Sequence, residues 1–206
     1  QFWEVQQVQE IFPYFEQLNS VINTKADSIG IAKNTNLMNL LQINTLQANG
    51  VANVKLSDTA AVNKIQKSEF AKELRPQNIK YTQFMWGYKP EATDQNNLVL
   101  YAIRGNISQK APVDGAVETA RVNYDDLGRI VVDMQMDSKG SKDWKTLTGK
   151  NVNKPVAVTL DEVVYTAPNV VGEIPNGRTQ ISGNFSQEEA QDLVNVLGAG
   201  KLPAGA

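Results

Sequence analysis

The chain has 206 residues, 41% of them hydrophobic, with 20 basic against 22 acidic side chains and neither cysteine nor histidine. A formal charge of -2 offers no basic field to a phosphate backbone, so nucleic acid is not an expected partner, and the apolar fraction is that of a folded protein. The missing Cys and His remove disulfides, thiol chemistry, the commonest metal ligands and every histidine triad. The expectation is a protein that is not an enzyme and holds no metal or cofactor.

Phe2–Val8 reads as a short strand. Ile11, Phe15, Leu18 and Ile22 then recur at helical spacing, with Pro13 tolerable in the first turn. Asn/Thr-rich sequence from Asn34 to Asn49 interrupts this helix, and Leu37, Met38, Leu40 and Leu41 are expected to tuck against a neighbour. Val51–Leu56 alternates as a strand. Asp58 is placed to cap a helix from Thr59 to about Leu74 that turns Val62, Ile65, Phe70 and Leu74 inward, and Pro76 bars its continuation. Ile79–Tyr88 and Leu98–Arg104 read as strands joined by a polar loop. Gly105–Val113, with Pro112, is the expected crossing between two lobes, and Gly105 and Pro112 are the candidate hinge.

Val117–Asn123 and Ile130–Met136 predict an antiparallel hairpin around Asp125–Gly128, with Ile130, Val132, Met134 and Met136 on one face. Ser138 is expected to cap a helix carrying Trp144 and Leu147. Val156–Leu160 and Val163–Asn169 flank a two-residue turn at Asp161-Glu162, and Pro175-Asn176-Gly177 is a second turn signal before a strand at Thr179–Ser182. Ser186 with Glu189 three residues on forms a capping box. The helix that follows carries Ala190, Leu193, Val194 and Leu197 on one face and stops at Gly198–Pro203. Its Leu193 and Leu197 are expected to pack on a sheet containing Val156–Leu160 and Thr179–Ser182.

None of the polar clusters reads as a catalytic site. A calcium loop starting at Asn123 would place Leu127 and Met134 where oxygen ligands are required. Gly149-Lys150 lacks the earlier glycine and the following hydroxyl of a phosphate loop. Asp161 and Glu162 diverge on a hairpin tip, and capping accounts for Ser186 and Glu189. Phe84, Trp86 and Tyr88 alternate along one strand, opposite Tyr81 and Met85. The simpler reading makes that aromatic face the core of a small lobe. The functional reading makes it an exposed apolar groove that grips unfolded polypeptide.

The ordered set Thr166-Ala-Pro-Asn-Val170, Gln180-Ile-Ser-Gly-Asn-Phe-Ser-Gln-Glu-Glu-Ala190 and Gly198–Pro203 resembles the SecD part of the SecD/SecDF protein-export membrane proteins. The resemblance extends through Gly115–Arg121, Gly140–Thr148 and Asn151–Asp161, and Phe2-Trp3-Glu4 is similar to the family's opening strand. It covers residues 113–206 well and the middle only loosely. It implies an α+β, two-lobed fold with mixed or antiparallel sheets and helices on one face: a ferredoxin-like-related, membrane-proximal base into which an α+β head is inserted. The base would be residues 1–12 with 113–206 and the head 13–112. The family's first base segment, with its D-L-x-G-G sequence, is expected upstream, and a start at Gln1 suggests a cut fragment.

By the same resemblance the chain would lie on the periplasmic side of the bacterial inner membrane, between the first two membrane helices of a multi-pass protein. Its partners would be unfolded preprotein, the SecYEG translocon and SecF. Its role would be to help complete export driven by the proton motive force, with Phe84, Trp86 and Tyr88 as candidate preprotein contacts. A free extracytoplasmic ligand- or peptide-binding protein is the alternative, and a carboxylate-using hydrolase is disfavoured by the missing histidine.

Overall fold

The computed structural model describes residues 1–43, 49–91 and 94–199. The chain divides into two compact units, one of Val5–Gln109 and one of Gln1–Glu4 with Lys110 onward. The fold class is α+β, as expected.

In the Val5–Gln109 unit, strand β1 (Phe2–Gln6) gives way to helix α1 (Val8–Ile29). Glu10 opens α1 by accepting the Gln7 backbone N–H at 2.9 Å, which satisfies one orphan donor of the first turn. Ile11, Tyr14, Phe15, Leu18, Ile22 and Ala26 are buried at three- and four-residue spacing, and Gly30, at φ 68, ends the helix. Helix α2 (Leu37–Leu41) buries Leu37 and Leu41 against the same core. Strand β2 (Ala52–Lys55) leads through a short 3-10 turn into α3 (Thr59–Lys67) and α4 (Glu69–Glu73). The single helix expected over 59–74 is therefore broken. Ser68 takes an extended conformation, and its hydroxyl accepts the Ala71 N–H as the cap of α4. Asp58 makes no side-chain cap bond.

Strand β3 (Gln83–Gly87) is shorter than expected because Gln77–Ile79 forms a 3-10 turn. Strand β4 (Asn97–Ile103) holds β3 on one side and β2 with Val5 and Gln6 on the other, all antiparallel. The fully buried Gln6 side chain donates to the Asn78 carbonyl at 3.1 Å and accepts from the Thr82 hydroxyl. The boundary expected between residues 12 and 13 falls inside α1, where Ile11 and Phe15 share one core. The first chain crossing lies instead between Glu4 and Val5, and the second between Gln109 and Lys110.

In the other unit, β5 (Val117–Tyr124), β6 (Ile130–Met136) and β9 (Arg178–Ser182) form an antiparallel sheet in the order β5-β6-β9. Val132, Met134 and Met136 face its core, joined by Ile181. Val131 is buried as well, although it alternates with them. A separate set of antiparallel pairings joins Phe2–Glu4 to β7 (Val156–Leu160) and β7 to β8 (Val163–Thr166). The expected single sheet holding both Val156–Leu160 and Thr179–Ser182 is thus two pairings sharing one core.

Helix α5 (Ser138–Lys150) is capped by Asp137, not Ser138, through its carboxylate and the Gly140 N–H at 2.7 Å. Gly140 is required by packing, because a Cβ there would collide with Ala116. Helix α6 (Gln187–Ala199) lies on β5 and β6 with Ala190, Leu193 and Leu197 buried, and Ser186 accepts the Glu189 N–H at 3.1 Å. The expected Gly200–Pro203 stop lies outside the described residues. Among the described residues, no helix is long and apolar enough to cross a membrane.

Candidate functional site

A cavity of about 330 Å³ opens in the unit that contains β9. One wall is β9 itself. The facing wall is the segment Pro168–Ile174, and the floor is Phe2, Trp144, Val156 and Val158. Each wall is fastened by bonds that its sequence explains. Pro168 and Val170 are tied to the β7 approach by Val156 N–H to Pro168 O at 3.1 Å, Val170 N–H to Lys154 O at 2.9 Å and Asn153 N–H to Val170 O at 2.7 Å. The Ile174 N–H donates to the Thr148 hydroxyl oxygen at 3.0 Å, and that buried hydroxyl donates in turn to the Trp144 carbonyl at 2.8 Å. Asn176 and Gly177 then turn the chain into β9, with Gly177 at φ 69 and the Asn176 side chain accepting the Arg178 N–H at 3.1 Å.

Trp144 links the floor to β9. Its ring meets Phe2 edge-on at 4.9 Å between centroids, and its indole N–H donates to the Thr179 hydroxyl oxygen at 2.8 Å. The Thr148 and Thr179 hydroxyls beside the cavity are therefore engaged in holding the fold. The lining has two charged side chains, Glu173 and Arg178, one of each sign. Val171 stands at the mouth with 92% of its surface exposed. An apolar floor and a nearly neutral rim are suited to taking up uncharged apolar groups. No group of three or more His, Cys, Asp or Glu among the described residues is placed to hold a metal.

On the outer face of the β5-β6-β9 sheet, Asp133 accepts from the Asn123 amide at 2.6 Å and the Gln180 amide at 3.2 Å. The Asn123 bond, followed by those of Gln180 and the nearby Arg121 and Arg178 charges, holds its carboxyl below the usual carboxylate range.

The sequence-predicted contacts sit elsewhere, in the Val5–Gln109 unit. Phe84 stacks at 6.3 Å on Tyr14 and lies 6.0 Å from Phe15, with the Arg75 guanidinium 5.3 Å from its ring. Trp86 donates its indole N–H to Asn63 at 2.9 Å. Both pack against the helical core of their unit, while Tyr88 lies just past the strand with the Lys89 ammonium 5.3 Å from its ring. Gly105 is held where a Cβ would collide with the Tyr81 carbonyl, and Pro112 lies exposed in a bend. The cavity itself was not read from the sequence. Its signal was nonetheless present, because Thr166–Val170 and Gln180–Ser182, two of the stretches that carry the family resemblance, supply parts of its opposite walls.

Residues 102–204 match the family model described as "SecDF, P1 head subdomain". Among similar proteins, the protein translocase subunit SecD of Rhodothermus marinus is 42% identical over 148 residues, covering 71% of this chain and 23% of its own length. That of Calditerrivibrio nitroreducens is 49% identical over 73 residues, covering 35% of this chain and 14% of the relative. The chain thus spans less than a quarter of the length of these relatives. The solved structure of SecDF from Thermus thermophilus aligns over 98% of this chain and 29% of that one, with 20% identity and a TM-score of 0.40. The head-subdomain match falls on the stretch that the sequence reading assigned to the base. With half its residues matching the family model, the chain belongs to the SecD/SecDF family of protein translocase subunits.

Proposed function

We propose that this chain is an extracytoplasmic part of a Sec translocon accessory subunit that binds emerging unfolded preprotein and helps complete its export. The observation that carries this reading is the apolar cavity between β9 and Pro168–Ile174, whose lining, Phe2 apart, lies within the residues matched by the head-subdomain model. An export factor must grip many sequences, and an apolar, nearly neutral pocket discriminates little among them. The position of the match supports taking the Lys110-onward unit as the substrate-handling head, in place of residues 13–112. Contact with preprotein then moves from Phe84, Trp86 and Tyr88 to the cavity. The full-length protein is a multi-pass membrane protein of the inner membrane whose charged transmembrane residues, outside this chain, carry the proton flux. SecYEG and SecF are its partners, the present residues face the periplasm, and they perform no catalysis and need no cofactor.

Backbone change during the cycle falls to the exposed stretch Ile107–Pro112 at the second crossing, with Gly105 fixed beside it by its close packing. The test is a photo-crosslinking residue at Val171 of the full-length protein during export of a stalled preprotein. An adduct at 171, and none at an exposed control such as Leu127, supports the reading. Efficient export with no adduct at 171 removes it.

A further inference from the structure

We propose that the captured polypeptide binds by strand addition, pairing its backbone with the free edge of β9 and dropping alternate side chains into the adjoining cavity. This rests on the cavity being the preprotein site and specifies how that site recognises its substrate.

The register fixes which groups are free. Met136 donates its N–H to the Gly177 carbonyl at 2.9 Å, so the 136–177 pair is a hydrogen-bonded one. Alternation along an antiparallel ladder then makes Met134–Thr179 and Val132–Ile181 hydrogen-bonded pairs. The backbone N–H and C=O of Arg178, Gln180 and Ser182 therefore point away from β6. Among the described residues β9 is the last strand of its sheet, and these three residues are exposed. The Asn176 side chain occupies the Arg178 N–H, and among the described residues this leaves the groups of Gln180 and Ser182 and the Arg178 carbonyl for a partner. β9 contains neither proline nor lysine, and Arg178 is the one charged residue along it.

The same β9 residues line the cavity, so the free edge and the apolar pocket are one surface. Alternating donors and acceptors at strand spacing complement the backbone of an extended polypeptide, whatever its sequence. The wall charges, Glu173 and Arg178, cancel, which complements an uncharged segment and not an anionic polymer. A strand laid along β9 would place every second side chain on the face of Thr179 and Ile181, above Phe2, Trp144 and Val158. Main-chain pairing then supplies the grip, and a loose preference for apolar residues at every second position supplies the selectivity.

The experiment uses the 206-residue chain and a fluorescein-labelled eight-residue peptide alternating leucine and threonine, read by fluorescence anisotropy. Two derivatives are N-methylated on backbone amides, one at the leucines and one at the threonines. Strand addition removes binding at least tenfold in one derivative and leaves it within about twofold in the other. Loss with methylated threonines marks antiparallel docking, and loss with methylated leucines marks parallel docking. Equal affinities for the two derivatives overturn strand addition while leaving the cavity as the site. No binding of the parent peptide overturns both. Gln180→Pro removes one outward N–H without touching the β6 ladder. It should weaken the parent peptide at least tenfold relative to Gln180→Ala, which loses the same side-chain bond to Asp133 but keeps the outward N–H, and equal affinities of the two variants would count against the pairing. A concentration-dependent dimer abolished by Gln180→Pro would make a second copy the occupant and overturn the proposal.

Discussion

The indole N–H of Trp144 donates to the hydroxyl of Thr179 at 2.8 Å, fastening helix α5 to strand β9. Trp144 is buried, so a lost acceptor would leave its indole donor poorly satisfied. Thr179→Val should cost about 1–3 kcal/mol in chemical denaturation. Amide exchange in β9 should rise more than in β5, because the strand loses its tie to the floor. An equal rise in both strands would mean that the bond contributes only to global stability.

Leu193 occupies a full core position beneath β5 and β6. Leu193→Ala should destabilise by about 2–5 kcal/mol, the range set by how far the surroundings collapse into the space left behind. A denaturation midpoint unchanged by the substitution would contradict this packing.

Asp161 and Glu162 form the turn between β7 and β8 with φ of 51° and 64°. Both residues thus carry a side chain through the left-handed region that Asn-Gly adopts at lower cost. Replacing the pair by Asn-Gly should raise stability by about 1 kcal/mol and leave the 160–163 register intact. A fall in melting temperature would indicate that the acidic side chains have a role beyond the turn.

Asp133 is held below its ordinary carboxylate range chiefly by the Asn123 amide, then by Gln180 and the two arginines. A depressed folded-state pKa contributes stability that is complete above the unfolded-state value. That contribution is lost as pH falls through the lower folded-state value. Asp133→Asn should therefore be less stable than the parent at neutral pH, and the two should converge in the acid range below about pH 4. Denaturation curves at several pH values check this, and a constant difference across them would assign the effect to lost hydrogen bonds alone. The effect should stay below about 1 kcal/mol because the carboxylate is partly open to water.

Local structure was legible where a short stretch of sequence settles its own conformation. The periodicity of Ile11, Phe15, Leu18 and Ile22, the hairpin around Asp125–Gly128 and the Ser186 cap all follow from neighbours within one or two turns. Reading failed where a nearby competitor decided the outcome. Asp137 outcompeted Ser138 because its carboxylate sits one residue earlier, at the N-cap position of α5, and Ser68 broke a continuous helical pattern by offering its own cap. The aromatic alternation of Phe84 and Trp86 was plain, but alternation does not say which face is covered. Tyr14, Phe15 and Asn63 reach that face from helices far along the chain.

The sequence alone determined the family, because the Thr166–Val170 and Gln180–Ala190 stretches are ordered strings whose identity needs no third dimension. It also determined the fold class and the lack of histidine and cysteine side chains. Only the tertiary structure placed those two stretches on opposite walls of one cavity and left β9 at the end of its sheet. A strand's pairing partners and its free edge are set by segments remote in sequence. Val132 and Met134 occupy one edge of β9 from some 45 residues upstream. The order of strands, and hence the availability of β9 to a partner, is therefore a property of the assembled sheet and not of the residues that compose the strand.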